Sequence, residues 1–137
     1  MPRLSTLLIP AFFAACAVPA WAQNALDGVD VVSLRDSGRA VQGDASIATR
    51  WKGQSWAFAN EANRAAFEAD PRSYAPGFSG NCPVALSDGK KRPGSAQFPV
   101  VLRGRLYLTV DRAAQGELRA DPDTILHRAS EMWSKLR

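Results

Sequence analysis

The chain has 137 residues, 17 Lys and Arg against 13 Asp and Glu, a formal charge of +4, one His and two Cys. Its mild, dispersed basic charge excludes the dense cationic face of a dedicated nucleic-acid binder, and no nucleic acid is expected as a partner. A lone His leaves no Ser/His/Asp arrangement to assemble, and the phosphate-loop and dinucleotide fingerprints are absent, so no enzyme is expected.

The chain opens with the three-part pattern of a secretory signal. Arg3 gives a short positive region, Leu7 to Val18 form an apolar stretch, and Ala20-Trp21-Ala22 places small residues at a cleavage site before Gln23. The expected organisation is a signal peptide over 1–22 and one domain over 23–137, periplasmic or secreted after cleavage near Ala22. Phe13-Ala14-Ala15-Cys16 loosely resembles a lipobox, which makes a lipid anchor at Cys16 the competing outcome. The apolar stretch is too short and poorly flanked for a membrane anchor, and no later run approaches spanning length. Loss of 1–22 removes Arg3 and no acid, lowering the formal charge from +4 to +3. Cys16 leaves too, so Cys82 stands alone and no internal disulfide holds the fold.

Asp27 to Leu34 reads as one strand or a first helical turn, ended by Ser37-Gly38. Ile47 to Trp51 and Ser55 to Ala59 flank Lys52-Gly53-Gln54 and predict a β-hairpin. Asn60 is the expected N-cap of a helix, with Glu61 in its first turn. Ala62, Ala65, Ala66 and Ala69 share one face, Phe67 lies at its margin, and Asp70-Pro71 is the stop. Val100 to Leu102 and Leu106 to Val110 form a second hairpin around Arg103-Gly104-Arg105, and a short weak helix is expected after Asp111. In the last helix Asp121 is the cap and Pro122 the first residue, while Ile125, Leu126, Ala129, Met132, Trp133 and Leu136 fall on one stripe. No internal repeat is evident. The expected fold is α+β: a small single domain of β-hairpins packed with short helices and an amphipathic C-terminal helix. Trp51, Trp56, Phe58, Phe67, Tyr74, Phe78, Phe98, Tyr107 and Trp133 are the candidate core fillers.

Cys82 is the first candidate for chemistry. Asn81 or Cys82 itself is expected to cap a helix of about two turns with Pro83 near its start and Gly89 just past its end. Unpaired N–H groups and the helix dipole at that end stabilise an anion such as a thiolate, which would favour nucleophilic or soft-metal chemistry. The other reading of the residues makes Cys82 a small apolar plug in the core. Gly80, Asn81, Gly89 and Lys90 form the candidate supporting loop. A closed metal site needs four ligands. His127 points away from the apolar stripe, so further ligands would be carboxylates, backbone groups, an added thiol or a second chain. Asp27 with Asp30 and Asp121 with Asp123 read as turn and cap residues, and Lys90, Lys91 and Arg92 as a solvated loop.

Five blocks carry a resemblance: Gly28, Asp30 and Val32; the Trp51, Gly53, Trp56, Phe58 and Ala59 hairpin; Asn63 to Pro76; Gly80 to Lys90; and Gly104 to Leu108. Together, from about Leu26 to Trp133, they resemble the exported branch of the YHS-domain family. That resemblance implies a compact α+β module that binds a heavy or soft metal, copper-like or zinc, with Cys82 in the family's cysteine position. It is related to modules of copper-transport ATPases and some oxygenases. The Tyr-His-Ser triplet itself has no counterpart, since Val32-Ser33-Leu34 stands in its place, and Val29, Val31 and Leu34 stand where exported relatives often carry Tyr, Pro and an aromatic residue. Three functions follow for test: a soft-metal binder through Cys82, shared across a homodimer or held in one chain; a structural or protein-interaction module without metal, with the Cys in the core or at a contact; and a thiol-reactive protein.

Overall fold

A computed structural model describes residues 23–137, so the signal-like segment and Cys16 lie outside the described residues. The fold is α+β. Its elements are α1 (Val31–Ser37), β1 (Asp44–Trp51), β2 (Gln54–Phe58), α2 (Glu61–Ala69), α3 (Pro71–Tyr74), α4 (Pro83–Ser87), β3 (Ser95–Leu102), β4 (Arg105–Thr109), α5 (Arg112–Ala120) and α6 (Pro122–Leu136). Two antiparallel hairpins, β1–β2 and β3–β4, make separate two-stranded sheets. Among the described residues no helix is long and apolar enough to cross a membrane.

No repeat is evident in the sequence, yet the chain folds as the same unit twice. A 3-10 turn at Ala25–Gly28 precedes α1, β1, β2, α2 and α3; a 3-10 turn at Gly77–Gly80 precedes α4, β3, β4, α5 and α6. The backbone repeats in detail. Leu26, Asp27 and Gly28 have φ of 52, 53 and 83°, and Phe78, Ser79 and Gly80 have 54, 52 and 81°. Gly43 N–H donates to Gly28 O and Gly94 N–H to Gly80 O, both at 2.8 Å; Asp30 N–H donates to Val41 O and Cys82 N–H to Arg92 O, again both at 2.8 Å. Register shifts fall between Asp44 and Ala48 in one hairpin and between Ser95 and Pro99 in the other.

Both bulges rest on a glycine that has no room for a side chain. A Cβ on Gly43 would lie 2.5 Å from the Ala57 backbone carbon, and one on Gly94 would lie 2.2 Å from Leu108 O. The hairpin turns are two-residue pairs, Lys52-Gly53 at φ 47 and 73° and Arg103-Gly104 at φ 52 and 76°. Left-handed conformation at both positions matches the twist of the strands and favours Gly at the second.

Helix starts follow the polar caps. Asn60 Oδ1 accepts from Asn63 N–H, Asp111 from Ala114 N–H and Asp121 from Thr124 N–H. The segment from Asp27 to Leu34 resolves into a turn plus a helix, because Asp30 caps α1 and Gly38, at φ 69°, closes it. The helix after Asp111 is a full nine residues. In α2 the buried residue is Phe67, whereas Ala62, Ala65 and Ala69 are exposed and Ala66 half-buried. The packed face is that of Phe67 and not the alanine stripe, because one Phe removes more apolar surface from water than several methyl groups.

One core joins the two units. Ala25, Val29, Val31, Val32, Leu34, Trp56, Phe58 and Phe67 of the first pack with Leu106 and Leu108 of the second. Phe67 stacks on Trp56 at 5.1 Å and meets Phe58 at 5.2 Å. The second cluster, Cys82, Val84, Ala85, Val100, Ala114 and Leu118, belongs to the second unit and is covered by Ile125 and Leu126 of α6. Of the expected fillers, Trp56, Phe58 and Phe67 are fully inside, and Trp51, Tyr74, Phe78, Phe98, Tyr107 and Trp133 are half-buried.

Candidate functional site

Cys82 is the N-cap of α4, with Pro83 at the first helical position, but its side chain makes no capping hydrogen bond. It is 0% exposed and lies in the apolar cluster with Val100, Ala114 and Leu118. The thiol is free. The supporting loop closes the backbone. Asn81 Nδ2 donates to Phe78 O at 3.0 Å, Gly89 N–H to Leu86 O at 2.8 Å, and Lys90 N–H to Ala85 O at 2.9 Å. Gly80 O accepts from Gly94 N–H. The Lys90 side chain is in solvent, and Lys91 Nζ lies 5.4 Å from the centroid of the Trp133 ring.

The residues around Cys82 do not fit a soft-metal site. A metal ligand needs its sulfur open to the ion and further N, O or S donors near it. Here the neighbours are hydrocarbon, and among the described residues no three His, Cys, Asp or Glu side chains group around a common point. His127 is exposed on α6, 3.6 Å from Glu131.

The repeat explains what Cys82 replaces. Its counterpart is Asp30, which caps α1, is 0% exposed, and uses both carboxylate oxygens. Oδ1 accepts from Val32 N–H at 2.9 Å and Ser33 N–H at 3.1 Å; Oδ2 accepts from Ala59 N–H and Asn63 Nδ2, each at 2.8 Å. Asp30 therefore ties α1 to the end of β2 and to α2. In the second unit Cys82 takes the Asp position and Ala114, the counterpart of Asn63, lies in the same apolar cluster. A polar tie in one unit is an apolar contact in the other.

A cleft opens where the units meet. Its volume is about 600 Å³, within the range of small-ligand sites. Asn24, Leu26, Asp27, Trp51, Lys52, Gln54 and Trp56 line it from the first unit, and Pro76, Ser79, Gly80, Pro93, Gly94 and Leu108 from the second. Both left-handed turns form its rim, through Leu26 and Asp27 on one side and Ser79 on the other. Trp51 stands half-buried in the wall, 5.7 Å from Trp56 and from Phe67, with Lys52 Nζ 4.8 Å from its ring centroid. Among the described residues the side chains of Asn24, Asp27, Gln54 and Ser79 have no hydrogen-bond partner, and all four are exposed or half-exposed. Nothing in the sequence marked this group, because it converges from separate loops and strand ends. The one signal available was Trp51 against its repeat counterpart Leu102, and it requires the repeat to be seen first.

A second, smaller pocket of about 190 Å³ lies in the second unit between Leu102, Arg103, Arg105, Tyr107, Pro122 and Asp123. Arg103 and Asp123 pair across it at 3.1 Å. No family model, curated protein or solved structure matches this chain.

Proposed function

We propose that this chain is an exported binding module without catalytic activity, whose ligand sits in the cleft between the two units and whose Cys82 is a packing residue. One contrast carries the reading. The only thiol among the described residues is sealed in hydrocarbon, while the cleft gathers solvent-facing polar side chains and a half-buried Trp at the surface. A sealed sulfur also disfavours the thiol-reactive role, since disulfide exchange needs in-line access to the attacking sulfur.

The soft-metal function rests on the resemblance to YHS domains, and it makes a different demand on the same residue. Elemental analysis of protein purified without a His-tag, after exposure to Cu(I) and Zn(II) under reducing conditions, separates the two. The cleft reading predicts background metal in the natural chain and in Cys82→Ser alike. It also predicts that small-molecule fragments shift the backbone resonances of Asp27, Lys52 and Ser79. Metal near one per chain, or one per two chains, that disappears in Cys82→Ser would overturn it.

A further inference from the structure

The chemistry of the cleft narrows its ligand, on the reading that the cleft is the binding site. We infer that it takes a neutral oligosaccharide. The first observation is the wall. Trp51 lines the cleft half-buried, and its indole already holds a cation, with Lys52 Nζ 4.8 Å from the ring centroid. A face that attracts an ammonium group also attracts the polarised C–H bonds on one side of a sugar ring.

The second observation is the rim. Asp27 only accepts hydrogen bonds, Lys52 only donates them, and Asn24, Gln54 and Ser79 do both. Hydroxyl groups, each a donor and an acceptor, satisfy such a mixture, whereas a phosphate or a cation would use one half and be repelled by the other. One carboxylate and one ammonium also cancel, so the lining holds no net charge to reward an ionic ligand.

The third observation is internal to the molecule. The second unit reaches the same backbone with Leu102, Arg103, Arg105 and Tyr107 in place of Trp51, Lys52, Gln54 and Trp56, and with Ser79 in place of Asp27. The fold therefore does not require a Trp, an amide and a carboxylate at these positions. Only the first unit carries all three, and it carries them where they face the cleft.

The test uses the chain from Gln23 onward, labelled with ¹⁵N and titrated with chitotetraose, cellotetraose and maltotetraose. Proline-rich peptides and small organic cations form parallel arms. The expected result is saturable binding of at least one tetrasaccharide that shifts Asn24, Gln54, Ser79 and the Trp51 indole N–H. Gln54→Ala, on an accessible strand position, is expected to weaken it about tenfold without loss of the folded spectrum. Trp51→Leu, which installs the second unit's residue, is expected to abolish it. Shifts of these residues by a peptide or an organic cation but by no sugar would overturn the saccharide and leave the cleft standing. No shift in the cleft with any probe would overturn both.

Discussion

Asp30 and Cys82 occupy one structural position and solve it with opposite chemistry. Both are fully buried, and a buried carboxylate is stable only when its lone pairs are filled. Four donors do that for Asp30. Asp30→Ala leaves those donors without their acceptor and is expected to cost at least about 3 kcal/mol in denaturant unfolding. Cys82→Asp alone places a carboxylate beside Ala114 and is expected to destabilise strongly, while Cys82→Asp with Ala114→Asn rebuilds the first unit's tie. A double-mutant cycle should then show favourable coupling of about 1 kcal/mol or more. Simple additivity would mean that the two units are not equivalent here. At the surface, Glu68 accepts from Thr49 Oγ1 and from Arg64 Nε, and these bonds hold its carboxyl below the ordinary glutamate range, the Thr49 bond contributing most. The folded-state value is the lowered one, so the contribution is present above the unfolded carboxylate range and lost as pH falls through the folded value. Thr49→Ala is expected to move the Glu68 titration upward when followed by NMR; an unmoved titration would remove Thr49 as the cause.

The hairpins show how much a local signal can carry. Lys52-Gly53 and Arg103-Gly104 are readable as turns because each requires positive φ and each ends in the residue that adopts it freely. The caps at Asn60 and Asp121 are readable for a similar reason: a polar residue just before a helical pattern meets free N–H groups. The bulge glycines are not readable, because their need comes from a strand distant in sequence. These two classes predict different costs. At Gly104 a Cβ meets nothing within 4 Å, so Gly104→Ala is expected to lose only the turn strain, about 1 kcal/mol. At Gly94 a Cβ meets the Leu108 backbone, so Gly94→Ala must open the hairpin and is expected to cost several-fold more. Thermal unfolding of both variants checks the order, and equal losses would contradict the packing described for the bulge.

At the scale of the whole molecule, the duplication explains both what was legible and what was hidden. The shared letters are punctuation: Gly28 and Gly80, Gly53 and Gly104, Asp70-Pro71 and Asp121-Pro122. The residues that fill the units have diverged, Trp56 to Tyr107, Phe58 to Thr109 and Asp30 to Cys82. Backbone geometry survived that exchange because positive φ and close strand approach admit few residues, whereas a core accepts many combinations of the right volume. The α+β architecture, the caps and the last helix could therefore be read directly. The repeat, the burial of Phe67 in place of the alanine face, and the cleft needed the folded chain. A single Cys after two glycines is conspicuous in a sequence, while Asn24, Asp27, Gln54 and Ser79 are ordinary until they converge. Whether the Cys82 thiol is sealed in the native protein is read from its alkylation rate across a denaturant series. Negligible labelling is expected in buffer, with a rate that rises with denaturant in parallel with global unfolding. Rapid labelling of the folded chain in buffer alone would show an accessible sulfur and return Cys82 to the centre of the function.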